Sequence, residues 1–401
     1  ISHRYSRANN PLVDGFDAMQ ERKWLLLLDA NNLYAHSLSQ PLPTGQFRWL
    51  TCEERQAFNL ETVEEDAEKG YMLEVDLAYP DDCHDSHSDY PLAPEKVVIK
   101  EEMISLLSRE IAEKFGQNHA HCEKLVPNLY DKKKYVVHYR NLQFYVKHGL
   151  VMSKVHRVLE FDQSKWLKPY IELNTEMRKV AKNKFEKDFF KLMNNSIYGK
   201  TIENLLKRKE VRIISNKDKS FVLNRLIAKP EFKRFEIINE DLVMIEMEKT
   251  CVTWDKPSYV GAVVLDHSKL HMYEMHYNVV KKQYGSRAKL LFTDTDSLCY
   301  EIKTHDVYED MRANLNVYDT SEYPPDHLLY SSKNKKVIGK FKDEFNAQPI
   351  AEFVGLRSKM YSLRLHGDEE KNTAKGIKLS FTKKHLRHEL YRDCLNDVQR
   401  T

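Results

Sequence analysis

The order of apolar and polar positions along the chain predicts short strands interspersed with helices. Trp24–Leu28 is a continuous apolar run that stops at Asp29. A short run of this kind is typical of a buried strand. Residues 208–250 alternate polar with β-branched residues and predict a small sheet.

A second acidic segment lies between two apolar runs further along the chain. Leu290–Phe292 and Ser297–Ile302 flank Thr293–Asp296, which predicts a hairpin with acidic residues at its tip. Residues 356–363 predict one further strand.

The helical pattern is clearest in the middle of the chain. We expect helices over residues 51–70, 100–125 and 267–282, and a loop over residues 80–95, which contain three prolines. From Gln163 to about Lys207 the sequence has almost no helix-breaking residue.

That long stretch is locally basic. Lys165–Lys191 contains eight Lys or Arg residues and four acidic residues. A helical spacing of three and four residues places one set of polar side chains on a single stripe. The set is Lys184, Lys187, Lys191, Asn195 and Tyr198. Stacked ammonium groups repel unless an anion lies over them, and a triphosphate would meet that need.

Composition narrows the class of protein. The 401 residues are 41% hydrophobic and 31% charged with a net charge of +3, which excludes wholesale disorder and a global polycation. With only 12 glycines, a glycine-rich nucleotide-binding sheet is disfavoured. The six cysteines form no Cys-x-x-Cys pair, so we expect reduced thiols in an intracellular protein. Within the cell, the nucleus is a plausible location.

The chain carries no sign of a membrane span or signal peptide, because its longest apolar run has five residues. It lacks an initiator Met, so it looks like a piece of a longer polypeptide.

Three acidic residues suggest a shared chemistry. Taken singly, Asp29 reads as a helix cap or turn residue, and Asp294 and Asp296 as a solvated turn. Together, carboxylates on neighbouring strands can hold two Mg²⁺ ions, which clamp the attacking and leaving oxygens in phosphoryl transfer. The lysine stripe would neutralise a leaving pyrophosphate.

Four segments in order resemble the motifs of family B DNA polymerases. They are Asp29-Ala-Asn-Asn-Leu-Tyr34, Lys191-Leu-Met-Asn-Asn-Ser-Ile-Tyr-Gly199, Asp294-Thr-Asp-Ser297 and Lys359-Met-Tyr361. The separations of 162 residues from Asp29 to Lys191 and 103 from Lys191 to Asp294 suit that family. The chain is most similar to the protein-primed branch, and within it to the polymerases of animal Polinton/Maverick transposons, with adenovirus and linear-phage polymerases related.

The resemblance implies an α+β right-hand fold with an antiparallel palm sheet, helical fingers, two insertions and a short thumb. The implied divisions are palm over 1–45 and 251–365, a first terminal-protein-region-like insertion over 46–165, fingers over 166–204, a second, β-rich insertion over 205–250, and the start of a thumb over 366–401. Only 28 residues precede Asp29, so we expect no 3′–5′ exonuclease domain in this chain.

The resemblance also implies roles for single residues. Asp29 and Asp296 would ligate two Mg²⁺ ions, for which Mn²⁺ can substitute, with help from the Ala30 carbonyl, while Asp294 would support the site. Tyr34 would be the steric gate against a ribose 2′-hydroxyl. The residues assigned to the incoming deoxynucleotide are Ala30, Asn31, Tyr34, Lys179, Lys187, Lys191, Asn195 and Tyr198, and those assigned to template–primer DNA are Gly199, Ser297, Lys359 and Tyr361.

The motifs depart from the family pattern in places. The usual Ser after Asp-x-x is Asn32, and the aromatic before the third motif is Phe292 rather than Tyr. Neither change removes a charge or the gate.

Other readings remain open. Asp81–His87 with His119–Cys122 has the residue types of a zinc site, although a polar loop that contacts DNA or a priming protein is the stronger interpretation. The whole chain could be a non-catalytic DNA-binding remnant of a transposon or viral polymerase. Reverse transcription is disfavoured, because its motif ends in Asp-Asp. A terminal protein is a further candidate partner, and no membrane is expected.

Overall fold

The computed structural model describes residues 1, 3–116, 123–215 and 220–400 as a mixture of helices and antiparallel sheets. The α+β class expected from the sequence is therefore confirmed. Among the described helices, none combines the length and apolar character needed to cross a membrane.

The strands are distributed along the whole of the described chain. They are β1 (Tyr5–Arg7), β2 (Lys23–Ala30), β3 (Leu42–Trp49), β4 (Lys69–Ala78), β5 (Glu95–Val98), β6 (Glu123–Val126), β7 (Lys132–His138), β8 (Val151–Ser164), β9 (Lys209–Ser215), β10 (Phe232–Asn239), β11 (Leu242–Glu248), β12 (Ala288–Asp294), β13 (Ser297–Lys303), β14 (Phe341–Asp343), β15 (Ile350–Arg357), β16 (Met360–Leu365) and β17 (Glu370–Ala374).

The helices alternate with the strands along the described chain. They are α1 (Leu33–Leu38), α2 (Cys52–Ala57), α3 (His84–His87), α4 (Leu106–Lys114), α5 (Tyr139–Lys147), α6 (Lys168–Val180), α7 (Lys184–Thr201), α8 (Ser220–Ile227), α9 (Ser258–Tyr273), α10 (Lys282–Tyr284), α11 (Val307–Arg312), α12 (Leu379–His385) and α13 (His388–Arg400).

A central sheet in the order β12-β13-β2-β14 carries the acidic motifs. Its strand β2 has core on both faces: Trp24, Leu26 and Leu28 pack into one cluster, while Leu25 and Leu27 pack into another. Burial on both faces explains why this segment is continuously apolar rather than alternating.

The second of these clusters joins the central sheet to a sheet in the order β1-β15-β16-β17. A separate sheet, β3-β8-β4-β7, packs with α5 and α9 in its own core. The strands β10, β11 and β9 form the small sheet expected over residues 208–250, and α8 covers one side of it.

The breaker-free stretch from Gln163 to Lys207 is two packed helices rather than one. α6 ends at Val180, and α7 begins after Asn183, whose side-chain oxygen accepts a hydrogen bond from the Glu186 N–H at 2.9 Å. An asparagine cap of this kind starts a helix by satisfying an otherwise unpaired N–H. The stripe from Lys184 to Tyr198 lies within α7 alone.

Three further helix and strand predictions need correction. The helix expected over 51–70 is only α2 and a 3₁₀ turn at Leu60–Thr62. Of the range 100–125, the described residues form one helix, α4, with a 3₁₀ turn before it and the start of β6 at its end. The single strand expected over 356–363 is two strands, β15 and β16, joined by a tight turn in which Lys359 has a φ of 57°. A left-handed residue at that point reverses the chain direction.

The helix expected over residues 267–282 is longer than predicted. It starts at Ser258 as α9 and passes through a π-helical segment, Glu274–Lys281, into α10. The hairpin expected at Thr293–Asp296 is confirmed, since β12 and β13 pair with Asp294 opposite Ser297.

Candidate active site

Pairing of β13 with β2 brings Asp29 and Asp296 to the same end of the central sheet. Asp29 is the register partner of Ser297, and the Ala30 N–H donates to the Asp296 carbonyl at 2.7 Å. Two residues that are more than 260 positions apart in sequence are thereby held side by side by backbone hydrogen bonds.

The pKa values of both carboxyl groups are raised. Burial raises the pKa of Asp29 to about 6, and the nearby Asp296 charge contributes in the same direction. Burial likewise raises the pKa of Asp296, with Asp294 adding to the shift and the Lys191 ammonium partly offsetting it. Buried like charges of this kind favour a shared proton or a bound cation.

The donors at this point are oxygen atoms, which suit a hard divalent cation. In the described part of the chain no group of three or more His, Cys, Asp or Glu side chains has metal-binding geometry. A metal ion here would take two carboxylates from the protein and complete its coordination with water or phosphate oxygens.

Asp294 lies at the start of the hairpin turn and forms an ion pair with Lys359. The Lys359 ammonium is 2.6 Å from its Oδ1 atom. Ser297 Oγ donates to the Asp294 carbonyl at 3.2 Å, and Thr295 between the two acids has a φ of 60°. A positive φ is rare for a β-branched residue. At this turn Asp294 contacts Lys359, whereas Asp296 lies beside Asp29.

Two charged residues next to Asp29, Lys342 and Glu344, were missed by sequence reasoning. Lys342 on the edge strand β14 is 3.6 Å from Asp29 and 3.4 Å from Glu344, and Lys371 is 3.2 Å from Glu344. Glu344 also contributes to raising the pKa of Asp29. The only signal in the sequence was a short charged run after Gly339. The pairing of β14 with β2 is what places this run next to Asp29.

Tyr34 and Tyr198 form a stacked pair beside the carboxylates. Their ring centroids are 4.2 Å apart with an interplanar angle of 14°. Burial raises the pKa of Tyr198 to about 12, with Tyr34 as the next cause. The stack joins α1 to α7, so the expected gate residue is supported from behind by a residue of the lysine motif.

Asn32 occupies the N-cap of α1 with a φ of 49°. Asparagine tolerates this left-handed conformation better than most residues. The departure from the usual serine therefore suits the local backbone.

A narrow cleft of about 120 Å³ lies between the central sheet and helices α6 and α7. Asp29, Lys191 and Asn31, all expected at the site, line it. Asn194 lines the cleft where Asn195 was expected to act, and Arg178 lines it where Lys179 was expected. Asn195 is exposed, and Lys179 pairs with Glu176 at 2.7 Å, so the structure does not gather these two into the cleft.

The opposite wall of the cleft is a segment without helix or strand, Asp319–Lys340, which we call the cleft loop. Asp319 Oδ2 accepts hydrogen bonds from the Asn31 side chain at 2.7 Å and from the Lys336 N–H at 2.8 Å. The Asn31 backbone also bonds to Lys340 and Gly339. Through these hydrogen bonds Asn31 holds the cleft loop against the segment that carries Asp29.

Gly199 and Tyr361, two of the residues expected to contact DNA, do not line the cleft. Gly199 is exposed on α7, and a Cβ built on it meets no protein atom within 4 Å. Tyr361 is 8% exposed and stacks on Phe292 with ring centroids 4.2 Å apart. Phe292, the other departure from the family pattern, thus packs in the core.

The zinc interpretation gains no support. His87 bonds to the Tyr79 hydroxyl at 2.9 Å and is buried, while Asp81 is exposed. His119–Cys122, the other half of that motif, lies outside the described residues. The described cysteines, namely Cys52, Cys83, Cys251, Cys299 and Cys394, form no disulfide.

Comparisons with known proteins identify the family and the fold. Residues 18–282 match the family described as "DNA polymerase type B, organellar and viral". No curated protein sequence matches significantly. Phi29 DNA polymerase in an orthorhombic crystal form has the same fold, with a TM-score of 0.52 and 12% identity, over 95% of this chain and 55% of that one. A phi29 polymerase complex with primer–template DNA and incoming nucleotides aligns with a TM-score of 0.49 and 14% identity over the same shares. The chain thus spans about half the length of these polymerases.

Proposed function

This chain belongs to the organellar and viral type B DNA polymerases, and we propose that it is the core of a template-directed DNA polymerase. The observation that carries the proposal is that Asp29 and Lys191 line one cleft, while Asp296 lies beside Asp29 and close enough to Lys191 for their charges to interact. In the proposed reaction a primer 3′-oxygen bonds to the α-phosphorus of a deoxynucleoside triphosphate. The bond from that phosphorus to the β-phosphate oxygen breaks, and pyrophosphate leaves.

The architecture is assigned by the same proposal. The central sheet and its neighbours over residues 1–45 and 251–365 would be the palm, and α6 and α7 the fingers. Residues 46–165 and 205–250 would be the two insertions, and the region from 366 onward the start of the thumb. The wider sequence resemblance supports a protein-primed mode, in which a terminal protein hydroxyl replaces the first primer end.

The donor set suits Mg²⁺ or Mn²⁺. Asp29 and Asp296 would hold the ions, with the Ala30 carbonyl as a further oxygen ligand, because hard cations prefer such oxygens. When bound, the ions would supply charge stabilisation to the attacking and leaving oxygens. Asp294 would act indirectly, by holding Lys359 at the mouth of the site.

The remaining residues would handle the substrates. Lys191 would bind the triphosphate, with Lys187 one helical turn away on the same stripe of α7. Tyr34, supported by Tyr198, would exclude a ribose 2′-hydroxyl. The exposed Gly199 would let DNA approach α7 closely, and Lys359 would fix the primer end.

Primer extension by the purified chain tests this proposal. We expect Mg²⁺-dependent incorporation of deoxynucleotides that is abolished in Asp296→Asn. It should be unchanged in Asp326→Asn, which alters an exposed aspartate of the cleft loop that does not line the cleft. Tyr34→Ala should relax discrimination against ribonucleotides. A folded chain that binds DNA in a salt-dependent way without any extension would contradict the proposal and favour the non-catalytic DNA-binding alternative.

A further inference from the structure

A separate cavity of about 570 Å³ is formed by α3, the turn after α5 and the π-helical segment Glu274–Lys281. Its volume lies within the roughly 300–1,000 Å³ of small-molecule pockets. None of its lining residues also lines the cleft beside Asp29. Part of its wall is residues 85–87, which belong to the polar segment Asp81–His87. Neither the zinc interpretation nor the proposed polymerase reaction accounts for that segment.

Three aromatic rings contribute to the lining of this cavity, namely His87, His148 and Tyr277. The centroid of the Tyr277 ring is 5.0 Å from that of His87 and 5.0 Å from that of His148. The Tyr277 hydroxyl already donates to the Tyr90 carbonyl at 2.7 Å, so the ring is what remains for a ligand. Ring surfaces at these separations suit a planar aromatic ligand, which can stack on them or pack against their edges.

The backbone that carries Tyr277 departs from ordinary helix geometry. Glu274–Lys281 is π-helical over eight residues, and π-helical turns are frequent at functional sites. The Lys281 ammonium at the end of this segment is 3.3 Å from Asp89 and donates to the Ala288 carbonyl at 2.9 Å. Lys281 therefore fixes this wall of the cavity and is not the free charge of the lining.

His87 supplies a hydrogen-bond donor whose partner is missing. Its Nδ1 atom is 2.9 Å from the Tyr79 hydroxyl, which itself accepts the Leu92 N–H at 3.2 Å. Because the hydroxyl proton also needs an acceptor, we assign it to Nδ1, which leaves the proton of the neutral ring on Nε2. Burial lowers the pKa of His87 to about 4, so the ring is neutral at neutral pH.

The free nitrogen of His87 is not compensated within the protein. The residue is 3% exposed, and its Nε2 atom has no hydrogen-bond partner among the described residues. Buried polar groups are nearly always hydrogen-bonded, so a buried donor of this kind in the wall of a cavity points to an absent acceptor. This donor is independent evidence for a ligand.

The rim adds charge to this aromatic lining. Lys282, exposed on α10, forms no ion pair with any described residue. The Ser286 hydroxyl and the Asp85 carboxylate also belong to the lining. An ammonium without a counter-ion suits an anionic group on the ligand, whereas a carboxylate suits amino or hydroxyl groups elsewhere on it.

We propose that this cavity binds a planar aromatic ligand that bears one anionic group, which is the chemistry of a nucleoside monophosphate. The aromatic ring of the ligand lies against Tyr277 and His148, and its anionic group reaches Lys282. The Nε2–H group of His87 donates to an acceptor on the ligand. The inference goes beyond the proposed polymerase reaction, because no lining residue of this cavity takes part in that reaction.

Photoaffinity labelling of the whole chain with 8-azidoadenosine 5′-monophosphate tests the site directly. Tryptic cleavage separates residues 148–154, which contain His148, from residues 270–281, which contain Tyr277. We expect label on these two peptides that excess adenosine monophosphate removes. Adenosine should compete about fivefold less effectively, because it lacks the phosphate. Absence of label from both peptides, or label that adenosine monophosphate does not remove, would overturn the inference. Equal competition by adenosine would overturn the assignment of an anionic ligand.

The probe concentration that gives half-maximal label then compares variants at the rim. Lys282→Ala should raise it about five- to tenfold, because a charge-assisted hydrogen bond is lost. Lys282→Arg should stay close to the wild type, since it keeps the charge. The matched control is Lys289→Ala, which alters an exposed lysine that does not line the cavity and should label like the wild type.

Two substitutions of His87 separate ligand binding from packing. His87→Asn places an amide near the Nδ1 position and keeps a partner for Tyr79, whereas His87→Gln places an amide nitrogen near the Nε2 position. We expect His87→Asn to raise the half-maximal concentration about fivefold and His87→Gln to change it by less than about twofold. Thermal unfolding followed by circular dichroism confirms that each variant is folded. Equal losses in both variants, or wild-type labelling in both Lys282→Ala and His87→Asn, would overturn the inference.

One further variant keeps this site distinct from the proposed polymerase site. Label on the two peptides should be unchanged in Asp296→Asn, which removes a carboxylate assigned to the polymerase reaction. Loss of that label would place the nucleotide at the polymerase site and overturn the separate cavity. Because labelling requires no primer extension, the two proposals can fail independently of each other.

Discussion

Replacing Asp29 with Asn should make the metal-free protein more stable while removing a residue proposed to be catalytic. In the folded chain Asp29 is buried beside Asp296, and its pKa is raised from 3.8 to about 6. The folded state therefore favours the protonated carboxyl, and asparagine is a neutral substitute of nearly the same shape. The side chain of Asp29 is 26% exposed, so solvent screens only part of the repulsion.

The expected magnitude follows from the shift in pKa. The stabilising contribution of this raised pKa is fully present below the unfolded value of 3.8 and is lost as the pH rises through about 6. One pKa unit corresponds to about 1.4 kcal/mol, so ionised Asp29 destabilises the fold by up to about 3 kcal/mol at about pH 8. Allowing for partial exposure, we expect Asp29→Asn to raise the free energy of unfolding by about 1–3 kcal/mol at about pH 8 and by almost nothing at about pH 4.

Urea unfolding in EDTA, followed by tryptophan fluorescence, measures this difference. Trp24 lies on the same strand as Asp29 and is 4% exposed, so its emission should report loss of the central sheet. Asp326→Asn serves as the matched control, since it removes an exposed carboxylate. Added Mg²⁺ should stabilise the wild type more than Asp29→Asn. A variant that is no more stable than the wild type at about pH 8, or is equally stabilised at about pH 4, would refute the reasoning.

Three further substitutions test residues that surround the carboxylates and the cleft. Gly199→Ala should raise the free energy of unfolding by about 0.5–1 kcal/mol, because the new Cβ meets open space in a helix, yet weaken primer–template binding in a fluorescence anisotropy titration; unchanged binding would contradict the proposed DNA contact. Lys359→Met should change stability by less than about 1 kcal/mol, because its ion pair is partly exposed, and reduce the salt dependence of DNA binding by about one phosphate contact. An unaltered salt slope would remove Lys359 from the DNA interface. Gly339→Ala should cost roughly 2 kcal/mol or more in urea unfolding, because its φ is 78° and its Cβ would lie 2.4 Å from His36 Nδ1; wild-type stability would show that the cleft loop adapts freely.

Much of the site was predictable from short segments of sequence. The apolar run before Asp29 predicted β2, and the apolar segments around Asp294 and Asp296 predicted the hairpin. The helical spacing of Lys191 and Tyr198 within α7 was also correct. These features depend on local periodicity and turn chemistry, which neighbouring residues decide.

The hydrophobic pattern was less informative where a single contact decides where a helix or strand ends. The break between α6 and α7 depends on one capping bond at Asn183, and the turn at Lys359 depends on one left-handed residue. Neither changes the hydrophobic pattern enough for the pattern to predict it.

The tertiary structure alone decided which charges meet. Lys342 reaches Asp29 only because β14 pairs with β2, and Arg178 lines the cleft, whereas its neighbour Lys179 pairs with Glu176. Lys336 joins the cleft because Asp319 bonds Asn31 across 288 residues of sequence. The sequence by itself determined the motifs and the elements that carry them, since both are encoded within a few turns of chain. The identity of each counter-ion was set by strand register, helix rotation and loop bracing, which depend on contacts between distant residues.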